Sequence, residues 1–169
     1  MSVRALKAEP EPKPGPGAAA APTPSVADRP APTDDAVDTL ARTLWGMARG
    51  ESVRAMEAVA AVVMNRVRRA RDRGGWWWGG DVVSVCRKPG QFACWNPDAP
   101  DRAALASVTS ADPSFAAGLR IARRAVAGLL PDPTDGATHC HGAGGDPDWA
   151  RGRCACAEIG TLLFYNDVE

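Results

Sequence analysis

Tryptophan is the residue type whose placement most clearly indicates a binding chemistry. The chain has six tryptophans, and three of them are consecutive at Trp76, Trp77 and Trp78. Three adjacent indoles cannot all face one core, so at least one is expected to be exposed. An exposed indole beside a cleft is a natural stacking platform for a sugar ring, although it can equally mark a partner surface. Core packing is the expectation for Trp45, Trp95 and Trp149.

Five cysteines and two histidines form a second candidate set. Cys86 and Cys94 flank a short segment, and they are either bridged in an oxidising compartment or packed as small buried side chains. His139-Cys140-His141 and Cys154-Ala155-Cys156 carry nitrogen and sulfur ligands that suit Zn²⁺ if the two segments converge. On a strand, however, one-residue spacing directs Cys140 away from the two histidines. We therefore expect no metal and no cofactor, and a zinc-binding interaction domain is only a distant alternative.

Two amphipathic helices are expected in the first half of the folded region. Thr33-Asp34-Asp35 is typical of a helix start, since a capping side chain is followed by acids in the first turn. Gly46 and Gly50 predict a break, and Ser52 can cap the helix that follows it. The apolar stripe of this second helix is the clearest structural signal in the sequence. Its members are Val53, Met56, Val59, Ala60, Val63, Met64 and Val67.

The second half of the chain predicts one more helix and a small amount of β structure. Arg71 to Gly80 is typical of a break, Asp81 to Cys86 fits either a short helix or a strand, and residues 87–101 predict an irregular loop. A third helix is expected from Pro113 to Leu129, because apolar residues recur at helical spacing until Pro131 ends it. The Gly-rich remainder predicts a β-hairpin and a final short strand.

Four segments, in order along the chain, resemble those of one known family. The first two are an apolar helix that ends in Gly46-Met47-Ala48-Arg49-Gly50-Glu51 and a following helix that ends in Val63-Met64-Asn65-Arg66-Val67. The third is the loop Gln91-Phe92-Ala93-Cys94-Trp95, and the fourth runs from Thr138-His139-Cys140-His141 to Leu163-Phe164-Tyr165. Together they span residues 40–165 and resemble the SleB-type cell wall hydrolases, the family of spore-cortex-lytic catalytic domains. The resemblance implies a lysozyme-like single domain over residues 34–169, mainly α with a small β-hairpin (α+β), whose cleft acts on peptidoglycan glycan strands.

The first of these segments departs from the family pattern at the position on which the family's chemistry depends. Cleavage of the β-1,4 bond between MurNAc and GlcNAc, by a glycosidase or a lytic transglycosylase, needs a carboxylic acid to protonate the leaving oxygen. The resemblance implies that the first acid of Gly-Glu-Ala-Arg-Gly-Glu is this group, and here Met47 occupies its position. A thioether cannot transfer a proton. Glu51, the second acid of the motif, is retained.

Three interpretations of Met47 are open. The chain is a non-catalytic homologue that keeps a glycan-binding cleft, or Glu51 supplies the acid, or Met47 is a sequence change in an otherwise active enzyme. Glu51 also has a purely structural use, because a carboxylate at the N-terminus of the second helix interacts favourably with the helix dipole. The further candidates for glycan contact are Trp76, Trp77, Trp78, Gln91, Phe92, His139, His141 and Tyr165.

Residues 1–33 predict a disordered Pro/Ala-rich tail, because they hold eight of the fifteen prolines and no apolar periodicity. No secretion signal is visible in them, and no apolar segment of the chain reaches the roughly 18 residues of a membrane span. We therefore expect synthesis in the cytoplasm, and action on the cell wall, in the periplasm or outside the cell, after export by another route or after lysis. Twenty basic and twenty acidic residues cancel, which argues against nucleic acid or an anionic membrane as the main partner. The expectation is a monomer that binds peptidoglycan.

Overall fold

The computed structural model describes residues 34–168, which fold into five α-helices and a three-stranded antiparallel sheet. The predicted tail, residues 1–33, lies outside the described residues. The sheet has the strand order β1-β3-β2, and this mainly helical α+β architecture confirms the predicted fold class. The elements are α1 (Asp34–Ala48), α2 (Val53–Asp72), α3 (Val82–Arg87), α4 (Arg102–Ser107), α5 (Pro113–Val126), β1 (His139–Gly142), β2 (Ala157–Ile159) and β3 (Leu162–Tyr165).

Helix α1 runs through Gly46 and ends only at Ala48. The predicted break between the first two helices therefore begins after Ala48 rather than at Gly46, and close packing explains the glycine at position 46. A Cβ atom at position 46 would lie 2.5 Å from Cβ of Cys94, so only glycine lets the helix approach the 3₁₀ turn Ala93–Trp95 this closely. The chain then leaves the helix and re-enters one at Ser52, which is the predicted N-cap of α2. Its side chain accepts a hydrogen bond from the N–H of Ala55 at 3.2 Å.

The stripe of α2 builds the main core, as the periodicity predicts. Most of its members are buried against α1, α3 and α5, and Met64 packs at the edge of the same cluster. Val53 is the exception, because it opens the helix and remains 56% exposed. The opposite side of α2 carries small residues, Ala55, Ala58 and Val62, on which Ile159 and Phe164 of the sheet pack in a second cluster. Helix α2 thus holds the helical layer on one side and the sheet on the other.

The shorter helices differ in how well the sequence predicts them. Residues 82–87 are helical, and Asp81 is the N-cap residue of a capping box. Its carboxylate accepts a hydrogen bond from the N–H of Ser84 at 2.9 Å. Helix α5 begins at the predicted Pro113 but ends at Val126, so the predicted extension to Leu129 is wrong. Gly128 explains the early end, because it adopts a φ of 73° and closes a Schellman motif in which the N–H of Leu129 bonds to the carbonyl of Arg124. Helix α4 lies within no predicted element.

The sheet confirms the predicted hairpin and places β1, which carries both histidines, beside it. Strands β2 and β3 form the hairpin, and β1 pairs with β3 so that His139 lies opposite Tyr165 and His141 lies opposite Leu163. Because β3 is the central strand, its side chains contact both neighbours. Across residues 34–168, we find no helix that is both long enough and apolar enough to cross a bilayer.

Candidate glycan site

Arg66 is the residue at which the separate sequence motifs meet. Its Nε donates to the carbonyl of Thr138 at 2.6 Å, and its Nη1 donates to Oε1 of Gln91. The guanidinium carbon lies 5.6 Å from the ring centroid of Trp78 and 5.3 Å from that of Phe92. Burial lowers the pKa of this guanidinium to about 10. It stays charged at neutral pH, stabilised by the two aromatic rings and two oxygen acceptors.

Trp78 and Phe92 are therefore packing residues, which corrects their assignment as glycan contacts. Trp78 is 0% exposed and Phe92 is 3% exposed, so neither ring offers a face to a ligand. The indole N–H of Trp78 donates to the carbonyl of Arg66 at 3.0 Å, which satisfies its polar atom within the core. Gln91 is partly exposed, but its side-chain oxygen is taken by Arg66. These three side chains hold the Gln91–Trp95 loop against α2.

The neighbouring tryptophans behave differently from Trp78. Trp77 is 50% exposed, which confirms that at least one of the three consecutive indoles faces solvent. Its ring centroid lies 5.4 Å from that of Trp78, so the buried indole supports the exposed one. Trp76 is partly buried, and the guanidinium carbon of Arg73 lies 4.3 Å from its ring centroid. Trp77 is thus the indole of the run that presents a stacking face.

A second aromatic group, which we call the histidine cluster, consists of His139, His141, Trp149 and Tyr165. The rings of His141 and Tyr165 stack with centroids 5.5 Å apart, and Trp149 lies 5.1 to 5.5 Å from the other three rings. Nδ1 of His141 lies 2.8 Å from the carbonyl of Gly142, and its Nε2 lies 3.1 Å from the Tyr165 hydroxyl. In the neutral imidazole, Nδ1–H donates to that carbonyl and Nε2 accepts from the hydroxyl. His141 and Trp149 are partly exposed, whereas His139 and Tyr165 are buried.

His139 is the buried support of this cluster. Burial is the main cause that lowers its pKa to about 4, and the positive charges of Arg66, Arg69 and Arg153 act in the same direction. The imidazole is therefore neutral at neutral pH, with its Nδ1 placed 3.1 Å from the Thr138 hydroxyl. A neutral ring packed between Trp78 and Trp149 orients these neighbours. It does not act as a proton donor at neutral pH.

The two signature positions, Met47 and Glu51, do not lie on one helix. Met47 is partly buried in α1 and packs against the main core, whereas Glu51 follows the end of α1 and precedes the cap Ser52. The Glu51 carboxylate accepts hydrogen bonds from the hydroxyl of Thr161 and from its N–H, the latter at 3.3 Å. Ser52 rather than Glu51 caps α2, so the structural role of Glu51 is to fix the β2–β3 turn.

The remaining aromatic and thiol residues are structural. Trp45 is buried as expected, and Trp95 is half-buried with its N–H donating to the Thr43 hydroxyl at 2.9 Å. Cys86 and Cys94 are free thiols in the main core. Burial raises their pKa to about 12 and about 11, respectively, which makes both unreactive as thiolates. Of the two alternatives for this pair, the structure has the small buried side chains.

The two candidate zinc segments do not assemble a ligand set. Within residues 34–168 no group of three or more histidine, cysteine or acidic side chains is arranged to hold a metal ion. His139 and His141 instead use their ring nitrogens on Thr138, Gly142 and Tyr165. The thiol of Cys156 donates to the carbonyl of Thr134 at 3.2 Å.

Two residues with clear roles were not among the predicted site residues. Arg66 lies outside the main apolar stripe of α2, on the side that carries Ala55, Ala58 and Val62. A charged residue among small apolar side chains is the signal that could have identified it. Thr161 gives no comparable signal, since a hydroxyl in a hairpin turn is ordinary. Its contact with Glu51 joins residues far apart in sequence and becomes visible only in the fold.

Comparison with known proteins gives two findings. A family model described as Cell Wall Hydrolase matches residues 50–165, a range that includes Glu51 and begins after Met47. Among solved structures, the chain is similar to the catalytic domain of the Bacillus cereus SleB protein, with a TM-score of 0.57 and 24% sequence identity over 78% of this chain and 90% of that one. This second likeness concerns the fold. No curated protein sequence matches the chain.

Proposed function

The chain belongs to the cell wall hydrolase family, and we propose that it binds the glycan strands of peptidoglycan without cleaving them. One observation carries the proposal. The position at which the family motif has its first acid holds Met47, and the remaining acid of that motif, Glu51, is hydrogen-bonded to the β2–β3 turn. The fold is similar to that of a cell wall hydrolase domain and an indole is exposed on it, while the expected proton donor is absent.

Neither residue of the motif is free to supply the proton that cleavage needs. Breaking a glycosidic bond needs a carboxylic acid within hydrogen-bonding reach of the leaving oxygen. Met47 has no transferable proton, and Glu51 uses its carboxylate oxygens to accept from the N–H and hydroxyl of Thr161. To act as the acid, Glu51 would have to release the turn that it anchors.

Exposed aromatic side chains support glycan binding. Trp77 is half-exposed and its ring lies against Trp78, which contacts His139. The same run of ring contacts continues to Trp149 and His141, whose rings are partly exposed. Sugar rings stack on indole faces, and the polar edges of imidazole hydrogen-bond to hydroxyl groups. These rings supply a surface suited to an extended saccharide.

A co-sedimentation assay tests this function. We expect the protein to pellet with insoluble peptidoglycan, and mass spectrometry of the supernatant to find no soluble muropeptides. Trp77→Ala should weaken binding by about fivefold or more, because an aromatic contact contributes roughly 1 kcal/mol beyond its buried area. Leu129→Ala, which removes a 67% exposed apolar side chain elsewhere, is the matched control and should bind normally. A protein that stays in the supernatant at every practical concentration would contradict the proposal.

Cleavage with Glu51 as the acid is the second candidate function. The extent of the match to the family model supports it. Glu51 lies within the segment that matches the family model, and its side chain is partly exposed. In this case the unmodified protein releases muropeptides and Glu51→Gln abolishes the release. Products with 1,6-anhydro ends would identify a lytic transglycosylase, and reducing ends would identify a hydrolase.

A further inference from the structure

A cavity of about 310 Å³ opens at the C-terminal end of α2, where the helix faces the loop that precedes β1. Its lining includes three guanidinium groups, from Arg68, Arg69 and Arg73, and one carboxylate, from Asp72. We propose that this cavity is a subsite for an oxyanion, a carboxylate or phosphate group, carried by the wall polymer. The inference rests on the proposed glycan-binding function and names a chemical group that the function alone does not specify.

Two of the three guanidinium groups are held in place by uncharged partners. Nη2 of Arg68 donates to Oδ1 of Asn65 at 2.6 Å. Nη1 and Nη2 of Arg69 donate at 3.4 and 3.3 Å to the carbonyls of Val168 and Asn166. Within residues 34–168, neither group forms an ion pair with a carboxylate. Their charge is therefore available to a ligand, and the planar fork of guanidinium matches the two oxygens of a carboxylate or phosphate.

The carboxylate of Asp132, near the cavity, does not neutralise the guanidinium groups of Arg68 and Arg69. Asp132 contacts two residues of the lining, because its carboxylate accepts from Asn65 at 2.9 Å and from Gly136 at 3.0 Å, in addition to Thr134. Although burial opposes it, this set of hydrogen bonds lowers the pKa of Asp132. Its oxygens are thus engaged by the loop. Among residues 34–168, Asp72 is the one acid that lines the cavity itself.

The position of the cavity suits a ligand on a long polymer. Thr138, in its wall, precedes His139 of the histidine cluster, and Arg69 and Arg73 lie 6.0 and 4.3 Å from the ring centroids of Trp78 and Trp76. At 1.5 Å per residue along α2, Arg69 in the cavity wall lies about 24 Å from Val53. Val53 begins the helix two residues after Glu51. A chain molecule can reach both ends of α2, whereas a monosaccharide cannot. We infer that the cavity binds an anionic substituent several sugar units from the start of α2, where Glu51 lies.

Substitutions that remove one positive charge, either inside or outside the cavity, test the inference. We expect Arg68→Gln to reduce the affinity for insoluble peptidoglycan by roughly tenfold, because a hydrogen bond between charged groups is lost. Arg68→Lys keeps the charge but not the guanidinium fork, so its affinity should lie between those of the unmodified protein and Arg68→Gln. Arg71→Gln removes an exposed charge one turn away that does not line the cavity, and it should bind like the unmodified protein. Circular dichroism and thermal unfolding establish that each variant is folded.

Two treatments of the wall identify the source of the anion. If acid extraction of phosphate polymers abolishes the difference between Arg68→Gln and the unmodified protein, the group is a phosphate. If enzymatic removal of the stem peptides abolishes it, the group is a peptide carboxylate. Equal affinities for Arg68→Gln and Arg71→Gln, with the unmodified protein still pelleting, would overturn the subsite alone. Failure of the unmodified protein to pellet would instead overturn the proposed function, and the subsite with it.

Discussion

At the scale of single residues, position 47 decides whether this fold can do acid chemistry. Met47→Glu places a carboxyl group in the family's position, in a partly buried site where burial raises a carboxyl pKa. If the rest of the site is intact, we expect the variant to release muropeptides about 10²- to 10⁴-fold faster than the unmodified chain, the usual contribution of general acid catalysis. Mass spectrometry of the soluble products measures the release.

Met47→Gln is the control for this substitution, because glutamine has nearly the same shape as glutamate and no proton to donate. It should remain inactive while Met47→Glu becomes active. Equal inactivity of both folded variants would mean that the cleft has lost more than its acid, which leaves binding as the sole function. Activity in the unmodified chain that depends on Glu51 would instead favour the second candidate.

His139 gives the protein a predicted loss of stability in acid. Its folded pKa of about 4 lies below the ordinary value of 6.5, so between these two values the unfolded chain binds a proton that the folded chain excludes. Stability is therefore unaffected by this group above about pH 6.5 and falls as the pH drops towards 4, by at most about 3 kcal/mol.

Urea unfolding at pH 7 and pH 4.5 measures this effect. In His139→Phe, which keeps a ring between Trp78 and Trp149 but cannot titrate, the difference in free energy of unfolding between the two pH values should be smaller than in the unmodified protein. The carboxylates contribute equally to both proteins, so they cancel in the comparison. An identical pH dependence would show that folding does not lower the pKa of His139.

At the scale of elements, the contact between the α1–α2 connection and the β2–β3 turn depends on Gly160. This residue has a φ of 64°, and a Cβ atom built there would overlap Oε2 of Glu51. Gly160→Ala should therefore lower the free energy of unfolding by about 2 kcal/mol or more, from backbone strain and from displacement of Glu51. Gly152→Ala, at a φ of 74° with no atom within 4 Å of the added Cβ, should cost only the strain, about 1 kcal/mol.

A double-mutant cycle with Glu51→Ala separates the two contributions at position 160. When Glu51 is shortened, the added methyl group has room, so the effect of Gly160→Ala should shrink towards that of Gly152→Ala. Chemical denaturation of the four proteins gives the coupling energy, expected at about 1 kcal/mol. Additive effects would mean that Glu51 does not hold the turn.

The elements also show what the sequence can and cannot predict. The stripe of α2 is long and periodic, so its helix, its cap at Ser52 and its buried face follow from spacing alone. Helix α4 is missed because it is short and buries only Leu105, too little for a periodic signal. For the site, the motifs predict which segments belong together. They do not predict that Trp78 turns inward on Arg66 while Trp77 turns outward, since that choice depends on contacts between α2, the Gln91–Trp95 loop and β1.

At the scale of the whole molecule, the described residues contain their own core. The main cluster draws on residues between 36 and 125, and the cluster beneath the sheet draws on residues between 55 and 164. The proline-rich segment before Asp34 has no apolar periodicity with which to join either one. We therefore propose that residues 1–33 are dispensable for the stability of the domain, and that the folding unit begins at the first residue of α1.

A pair of truncations tests this boundary. A fragment that begins at Asp34 should unfold with a free energy within about 0.5 kcal/mol of the full chain and pellet equally with peptidoglycan, because it loses no core residue. A fragment that begins at Ala41 also loses the buried side chains of Val37 and Leu40, and the loss of two such side chains should cost several kcal/mol, about 2 or more each. Limited proteolysis of the full chain should stop near residue 34. If the Asp34 fragment unfolds like the Ala41 fragment, residues 1–33 contribute to the folded domain and the boundary is wrong.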